Sequence, residues 1–314
     1  MVGSHLAEYV LADHRGVEVH GLVRWRSPEN NIQNLRGRVP LHLAELRDLN
    51  SLILLLKEVK PERIFHLAAQ SYVTASFDAP ADTLHTNIIG TVNLLDAVRL
   101  AKIDPKIHIC SSSEVYGQVT QDEVPIKEKN PFRPASPYAV SKVGEDMIAL
   151  QYFLSYGLKT IRTRMFTHTG PRRGDVFAES AFAKQIAEIE AGLRPNPMKV
   201  GNLNSVRTFA DVRDAVRAYW LLLEKCPAGE VYNIGGEETM TVGQMLEILK
   251  KKAACSIEHE VDGALLRPSD VTLQIPDTSK FHAATGWKPQ ISLEKTLQDL
   301  LDYHRGRIKS PALC

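Results

Sequence analysis

Ile107-His-Ile-Cys-Ser-Ser-Ser-Glu114, followed after a polar loop by Ser136-Pro-Tyr-Ala-Val-Ser-Lys142, decides how the chain is read. Residues 107–110 are an apolar run of the kind that forms a short buried strand, and the run breaks directly into Ser111, Ser112, Ser113 and Glu114. Hydroxyls and a carboxylate therefore leave the C-terminal end of a strand. Tyr138 and Lys142 stand one helical repeat apart at the start of a helix and share one face. An ammonium beside a phenol favours the phenolate, so Tyr138 is placed to exchange a proton with a substrate hydroxyl near neutral pH. Ser112 is placed to hold that oxygen. On spacing alone, Tyr-x-x-x-Lys reads more readily as an exposed helix pair. The strand-borne hydroxyls and carboxylate upstream favour the chemical reading.

Working outward, strands are expected at 17–23, 39–43, 63–69 and 159–165, with helices at 1–12, 46–59, 82–102 and 137–156. Strands alternating with helices of this length imply an α/β fold with a parallel sheet covered on both faces. Ligands bind beyond the carboxyl ends of the strands in such sheets. Residues 68–70, 111–114 and 167–170 should therefore converge on one crevice. After Pro171 the alternation loosens into helices at 179–191, 211–225, 241–253 and 293–305, with short strands near 198–201 and 231–234. This half reads as a smaller α/β cap interleaved with the first, without a linker.

The chain has 314 residues, 44% of them hydrophobic and 24% charged, with a net charge of +1, which bounds it as a globular protein with no nucleic-acid-binding field. Cys110, Cys226, Cys255 and Cys314 lack Cys-x-x-Cys spacing, so no disulfide framework or zinc site is expected and a reducing cytoplasm fits. No apolar run approaches the ~20 residues of a membrane span.

Several motifs together carry a family resemblance: Val19-His-Gly-Leu-Val-Arg-Trp-Arg-Ser27, His66-Leu-Ala-Ala-Gln-Ser71, Asn87-Ile-Ile-Gly-Thr91, Ser112-Ser-Glu-Val-Tyr-Gly117 and Ser136-Pro-Tyr-Ala-Val-Ser-Lys142. Further on come Gly170-Pro-Arg-Arg-Gly174, Val200-Gly-Asn-Leu203 with Arg207, Arg267-Pro-Ser-Asp-Val271 and Thr285-Gly-Trp-Lys-Pro289. From Gly3 to about Arg305 the chain resembles the extended short-chain dehydrogenase/reductases that act on nucleotide sugars. Within them it is most similar to the GDP-mannose 4,6-dehydratases and their relatives, the GDP-4-keto-6-deoxymannose reductases. Arg172-Arg173-Gly174 and the Arg24/Arg26 region lean toward the dehydratases; the Thr285–Pro289 segment and the short length also suit the reductases.

The resemblance implies a Rossmann-type doubly wound parallel sheet over residues 1–165, binding NADP, and a mainly substrate-binding part over 166–314, with segments near 200–235 returning to the first. It implies that Tyr138 is the base at the hexose 4-hydroxyl, Lys142 its partner and a ribose ligand, and Ser112 the third member. Glu114 would act at C5 while Ser113 helps the C6 hydroxyl leave. Oxidation at C4 acidifies the C5 proton, so a carboxylate there permits water elimination across C5 and C6, with hydride return to C6. Glu114 also reads as a plain capping or surface carboxylate. Gly3, Arg24, Glu45, Leu46, Leu67, Ala68, Ala69, Ser71 and His168 would join Tyr138 and Lys142 around the cofactor. Arg24 follows the second strand, where a guanidinium suits a 2′-phosphate and therefore NADP over NAD; it also reads as a solvated loop residue. Ser71, Glu114, Thr167, Arg173, Lys184, Val200, Gly201, Arg207 and Arg267 would contact a GDP-sugar, Arg173, Lys184 and Arg207 at its pyrophosphate.

The chain departs from the family pattern in three places. Glu45 stands where an Asp near the adenine is usual, and Thr167 where Asn is usual, with a shorter reach to the substrate. The family opens with a strand and a Gly-x-x-Gly-x-x-Gly turn; here only the last glycine appears, as Gly3, so roughly ten residues including a central strand are expected to be missing. A chain without them is expected to fold poorly and bind NADP weakly; for a partial sequence the enzyme reading stands. The helices at 82–102 and 137–156 resemble those that pair in homodimers or homotetramers of this family. Leu94, Leu95, Val98, Met147, Leu150 and Phe153 would either supply that interface or cover the sheet. Three readings remain open: an NADP-dependent dehydratase, an NADPH-dependent keto-sugar reductase or epimerase, and a catalytically silent nucleotide-sugar-binding protein.

Overall fold

The computed structural model describes residues 1–25, 27–267 and 269–309; Arg26, Pro268 and 310–314, with Cys314, lie outside the described residues. The first half runs α1 (Val2–Asp13), β1 (Gly21–Val23), β2 (Leu41–Leu43), α2 (Leu49–Val59), β3 (Arg63–His66), α3 (Val73–Asp78), α4 (Pro80–Leu84), α5 (Gly90–Ala101), β4 (Lys106–Ser112), α6 (Pro137–Tyr156) and β5 (Lys159–Met165). The second runs β6 (His168–Thr169), α7 (Ala178–Glu190), β7 (Met198–Val200), β8 (Val206–Thr208), β9 (Ala210–Asp211), α8 (Val212–Lys225), β10 (Val231–Ile234), β11 (Thr239–Thr241), α9 (Val242–Lys251), β12 (His259–Val261), β13 (Leu273–Gln274), α10 (Ser279–Thr285) and α11 (Leu293–Lys309).

Strands β3, β4, β5 and β10 form a parallel sheet in the order β10-β5-β4-β3. The register sets His66 opposite Ile109 and Ser112 opposite Met165, so the carboxyl ends of all three first-half strands open on one side. Ile107, Ile109 and Ile161 are fully buried; each such side chain contributes about 1.5–3 kcal/mol relative to exposure. Residues of α2, α5 and α6 form the core on one face, and those of α1, α8 and α10 the core on the other. Two parallel strands, β1 and β2, pair separately. Among the described residues no strand links them to the larger sheet. The expected strands at 17–23 and 63–69 are also shorter, ending up as Gly21–Val23 and Arg63–His66.

Local signals explain the boundaries. Asp48 caps α2 by accepting from the amides of Asn50 (3.0 Å) and Ser51 (3.2 Å), starting that helix later than apolar periodicity alone indicates. Helix α6 opens with Ser136 as cap and Pro137 in its first turn, and it closes on left-handed Gly157. The helix expected at 82–102 is not uniform: a π turn at His85–Ile89 separates α4 from α5. Widening the turn places Asn87, fully buried, between two other segments. Its carboxamide accepts from the Gln70 amide (2.8 Å) and donates to the Gln70 carbonyl (2.9 Å) and Ser141 Oγ (2.8 Å). The exit of β3 is thereby clamped to α6. Leu94, Leu95 and Val98 lie in the core under this helix, which settles them as sheet cover and removes them from any subunit interface.

The second half forms its own core from α7, α9 and α11 with β7. Strand β8 sits between antiparallel β11 and parallel β13, and β7 pairs with β12. Strand β10, however, returns to the first sheet beside β5, which interleaves the two parts.

Candidate active site

Strand β4 ends at Ser112, and the chain turns immediately into a 3-10 helix at Ser113–Tyr116. Ser112 caps it, its Oγ accepting from the Glu114 amide at 3.2 Å. Gly117 closes the turn at φ +59°, where an added Cβ would lie 1.6 Å from the Arg133 carbonyl oxygen, so only glycine lets the chain leave here. Ser113 is buried and donates to Gln274 Oε1 (3.0 Å), while Gln274 Nε2 donates to Glu114 Oε1 (3.4 Å). Gln274, on β13 and 2% exposed, is a candidate site residue that sequence reasoning missed. Its only signal was nearness to the Arg267–Val271 motif, because nothing local predicts that β13 docks against the β4 turn.

Helix α6 delivers the Tyr138–Lys142 pair. The Tyr138 amide donates to Ser76 Oγ (3.1 Å), fixing the start of the helix against α3. Lys142 Nζ lies 5.9 Å from the centre of the Tyr138 ring. It donates to the Cys110 carbonyl (2.9 Å) and to Glu145 Oε2 (2.9 Å). Burial pushes the Tyr138 phenol up, and the pull of Lys142 and of the Ser112 hydroxyl in the opposite direction does not overcome it. Desolvation thus outweighs the ammonium at this phenol. Burial also opposes the charge on Lys142, but Glu145, then Tyr138 and Cys110, more than offset it and hold the ammonium above its ordinary range. The Glu145 carboxyl is raised to about 7, by burial first and against the pull of Lys142.

Thr167 and His168 follow β5, as the register requires. His168 Nδ1 is 3.3 Å from the Phe166 carbonyl, and its Nε2 is buried without a partner. Burial, and then Arg173, hold this imidazole down to about 3, so it is neutral. The Arg173 guanidinium stacks 3.5 Å over the Phe177 ring, and its Nε is buried and unpartnered. Arg207 donates to the Val271 carbonyl (2.8 Å) and leaves Nη1 buried without a partner. Arg207 and Arg267 both approach Asp270 Oδ1, at 3.7 and 3.8 Å, so β8 and the 267–271 stretch bring two guanidiniums together. Lys184 is not among them: Asp175 (2.5 Å) and Glu188 (3.9 Å) match its charge. Val200 is fully buried in the second core, and Gly201 lies where an added Cβ would meet the Leu265 carbonyl at 3.0 Å.

Toward β1 and β2 the contacts thin out. Gly3 is exposed in the first turn of α1, and an added Cβ there meets nothing within 4 Å. Arg24 is exposed at the exit of β1, with no ion pair among the described residues. Glu45 is half-buried; Leu46 packs in the first core, and its carbonyl accepts from Asn93 Nδ2 (2.8 Å). Leu67, Ala68 and Ala69 are at least partly exposed as they leave β3, and Ser71 is exposed. A free guanidinium at Arg24, an open run of backbone at 67–69 and the orphaned nitrogens of Arg173 and Arg207 fit an elongated ligand with several anionic groups.

The family model described as GDP-mannose 4,6 dehydratase matches residues 1–300. The chain belongs to this family. Within the GDP-mannose 4,6-dehydratase family, it is 34% identical over 309 residues to the GDP-6-deoxy-D-mannose reductase of Pseudomonas aeruginosa, covering 98% of this chain and 95% of the relative. It is 31% identical over 351 residues to the GDP-mannose 4,6-dehydratase of Yersinia enterocolitica, covering 99% and 93%. Among solved structures, that of RMD from Pseudomonas aeruginosa complexed with NADPH superposes with a TM-score of 0.83 at 32% identity, covering 98% of this chain and 96% of that one. The α/β, Rossmann-type architecture and the membership in an enzyme family of nucleotide-sugar metabolism thus agree with the motifs quoted above.

Proposed function

We propose that the chain is a GDP-mannose 4,6-dehydratase working with NADP, and that it converts GDP-mannose to GDP-4-keto-6-deoxymannose. The observation that carries this reading is the placement of Glu114. A capped turn sets it directly after Ser112 and Ser113, at the strand end that also faces Tyr138. Proton exchange at a hexose hydroxyl needs Tyr138 and Lys142; abstraction at the neighbouring carbon needs a further base, and we assign that role to Glu114. When bound, NADP supplies the hydride acceptor and donor. Arg24 would hold its 2′-phosphate and Lys142 its ribose, with Gly3, Glu45, Leu46, 67–69, Ser71 and His168 around it.

In this reading Tyr138 takes the proton of the hexose 4-hydroxyl while Ser112 holds the oxygen. Glu114 then takes the C5 proton and gives it to the departing C6 hydroxyl, which leaves as water while Ser113 hydrogen-bonds to that oxygen. Gln274 keeps both residues in register until substrate arrives. Arg173, Lys184, Arg207 and Arg267 serve the pyrophosphate, Lys184 by giving up its exposed pair with Asp175, with Ser71, Thr167, Val200 and Gly201 along the sugar nucleotide. Residues 1–165 act as the cofactor part and 166–314 mainly as the substrate part. Self-association would use Val140, Met147 and Leu154, which form an exposed stripe at heptad spacing on α6. Free thiols at Cys110, Cys226 and Cys255 support a cytoplasmic location.

The identity to a reductase supports a second reading, in which Tyr138 donates rather than accepts and a keto-sugar is reduced. Incubation with GDP-mannose and catalytic NADP separates the two. A 4-keto-6-deoxy product without net NADPH consumption is the expected result. NADPH oxidation only with the keto-sugar would establish the reductase, and binding without turnover of either substrate a silent nucleotide-sugar protein.

A further inference from the structure

Glu145 has no part in the chemistry above, yet it is 1% exposed and its Oε2 lies 2.9 Å from the Lys142 ammonium. Its second oxygen, Oε1, is buried without a hydrogen-bond partner. A carboxylate with one oxygen satisfied is costly to bury, so its position demands a reason. The ammonium has three protons: one goes to Glu145, one to the Cys110 carbonyl, and one is left for whatever approaches from the crevice.

We propose that Glu145 is a positioning residue for the Tyr138–Lys142 pair: its carboxylate fixes where the lysine head rests and cancels part of the positive field that reaches the phenol. The proposal rests on the proton-transfer role given to Tyr138 above. From the phenol, a carboxylate against an ammonium looks closer to a dipole than to a free cation, and a dipole's field falls off faster. Glu145 and Tyr138 repel in their charged forms, in agreement with this reading. The charged and titratable surroundings of Glu145 are few. Lys142 and Asp146 lie on its own helix, Cys110 comes from β4, and the field of Lys142 also reaches His66 and His108. Asp146 is engaged by Arg162 and Arg164 of β5. From the π turn, Asn87 and Ile88 lie against this part of α6.

Removing the carboxylate should therefore make the phenol easier to ionise. The readout is the ultraviolet difference absorbance of tyrosinate during a pH titration of the full chain, with Tyr138→Phe subtracted to isolate Tyr138. Glu145→Gln should move that titration down by about one pH unit, and Glu145→Asp, whose shorter arm weakens the contact, should move it less and in the same direction. The acidic limb of kcat/KM for GDP-mannose should follow the same order. A residue needed only for folding would change the melting temperature and leave the phenol where it was. Either variant, once folded, that titrates like the wild type or above it overturns the proposal. The phenol titration needs no turnover, so failure of the dehydratase reading would appear separately, as lost activity beside a shifted Tyr138.

Discussion

The carboxyl end of β4 and the exits of β1 and β2 are built very differently. Around the end of β4, Ser112, Ser113, Tyr138, Lys142 and Glu145 are all buried, and most are tied to partners from other segments. At the exits of β1 and β2 the strands have three residues each, and Leu22, Trp25 and Leu43 are exposed at 38%, 73% and 68%. Position is thus over-determined where the proposed proton transfers would take place, whereas at the other end the side chains of Leu22, Trp25 and Leu43 are exposed. Reacting atoms must be held within tenths of an ångström, while an anionic group can be recognised by a flexible guanidinium.

The sharpest way to break this comparison is at Glu114. Glu114→Gln should retain cofactor binding and lose about 10²–10⁴-fold in product formation, read as keto-sugar release beside an NADP titration. Wild-type turnover would remove the acid/base role. Next is the support behind the site. Asp146, fully buried, accepts from Arg162 Nη1 and Arg164 Nε at 2.8 Å each. Asp146→Asn leaves buried guanidinium charge uncompensated and should cost about 3–5 kcal/mol of stability, measured by denaturant unfolding; a loss near zero would show that the buried end is not held by this pair.

A smaller effect is a slope. Burial holds His66 and His108 down to about 3 from 6.5, the Lys142 charge adding to it at both and His66 also at His108. The folded chain refuses protons that the unfolded chain binds. Their stabilising contribution is therefore complete above pH 6.5 and is lost as pH falls from there toward 3. Unfolding free energy should drop by up to about 1.4 kcal/mol per pH unit per histidine in that window, and His108→Gln should reduce the slope. Least affected is the open end: Arg24→Ala should weaken NADP about tenfold and leave NAD unchanged, as read by fluorescence titration of both. Equal loss of both cofactors would place the phosphate elsewhere.

How far the sequence could be read follows the same division. Helix α6 and strands β5 and β10 fall where periodicity and capping put them, because Ser136, Pro137 and Gly157 mark the helix ends and β-branched residues fill the strands. The π turn was not legible, since it arises from Asn87 bonding two segments distant in sequence. The assignment of Leu94, Leu95 and Val98 was also open, because an apolar stripe does not say what it covers. The pairing of Lys184 with Asp175 was not legible either, because it depends on how the turn before α7 packs.

By itself, the sequence determined the α/β class, the parallel order of strand ends and the residue types that meet there: a hydroxyl, a carboxylate, a phenol and an ammonium. Those depend on local periodicity and on the direction in which each strand runs. Only the tertiary structure decided how strongly each group is charged and what it touches. Gln274 reaches Ser113 and Glu114 from another part of the chain, Glu145 lies against Lys142, and burial raises the phenol that the ammonium lowers. Desolvation and long-range contact depend on what packs around a side chain, and no spacing within one segment records that.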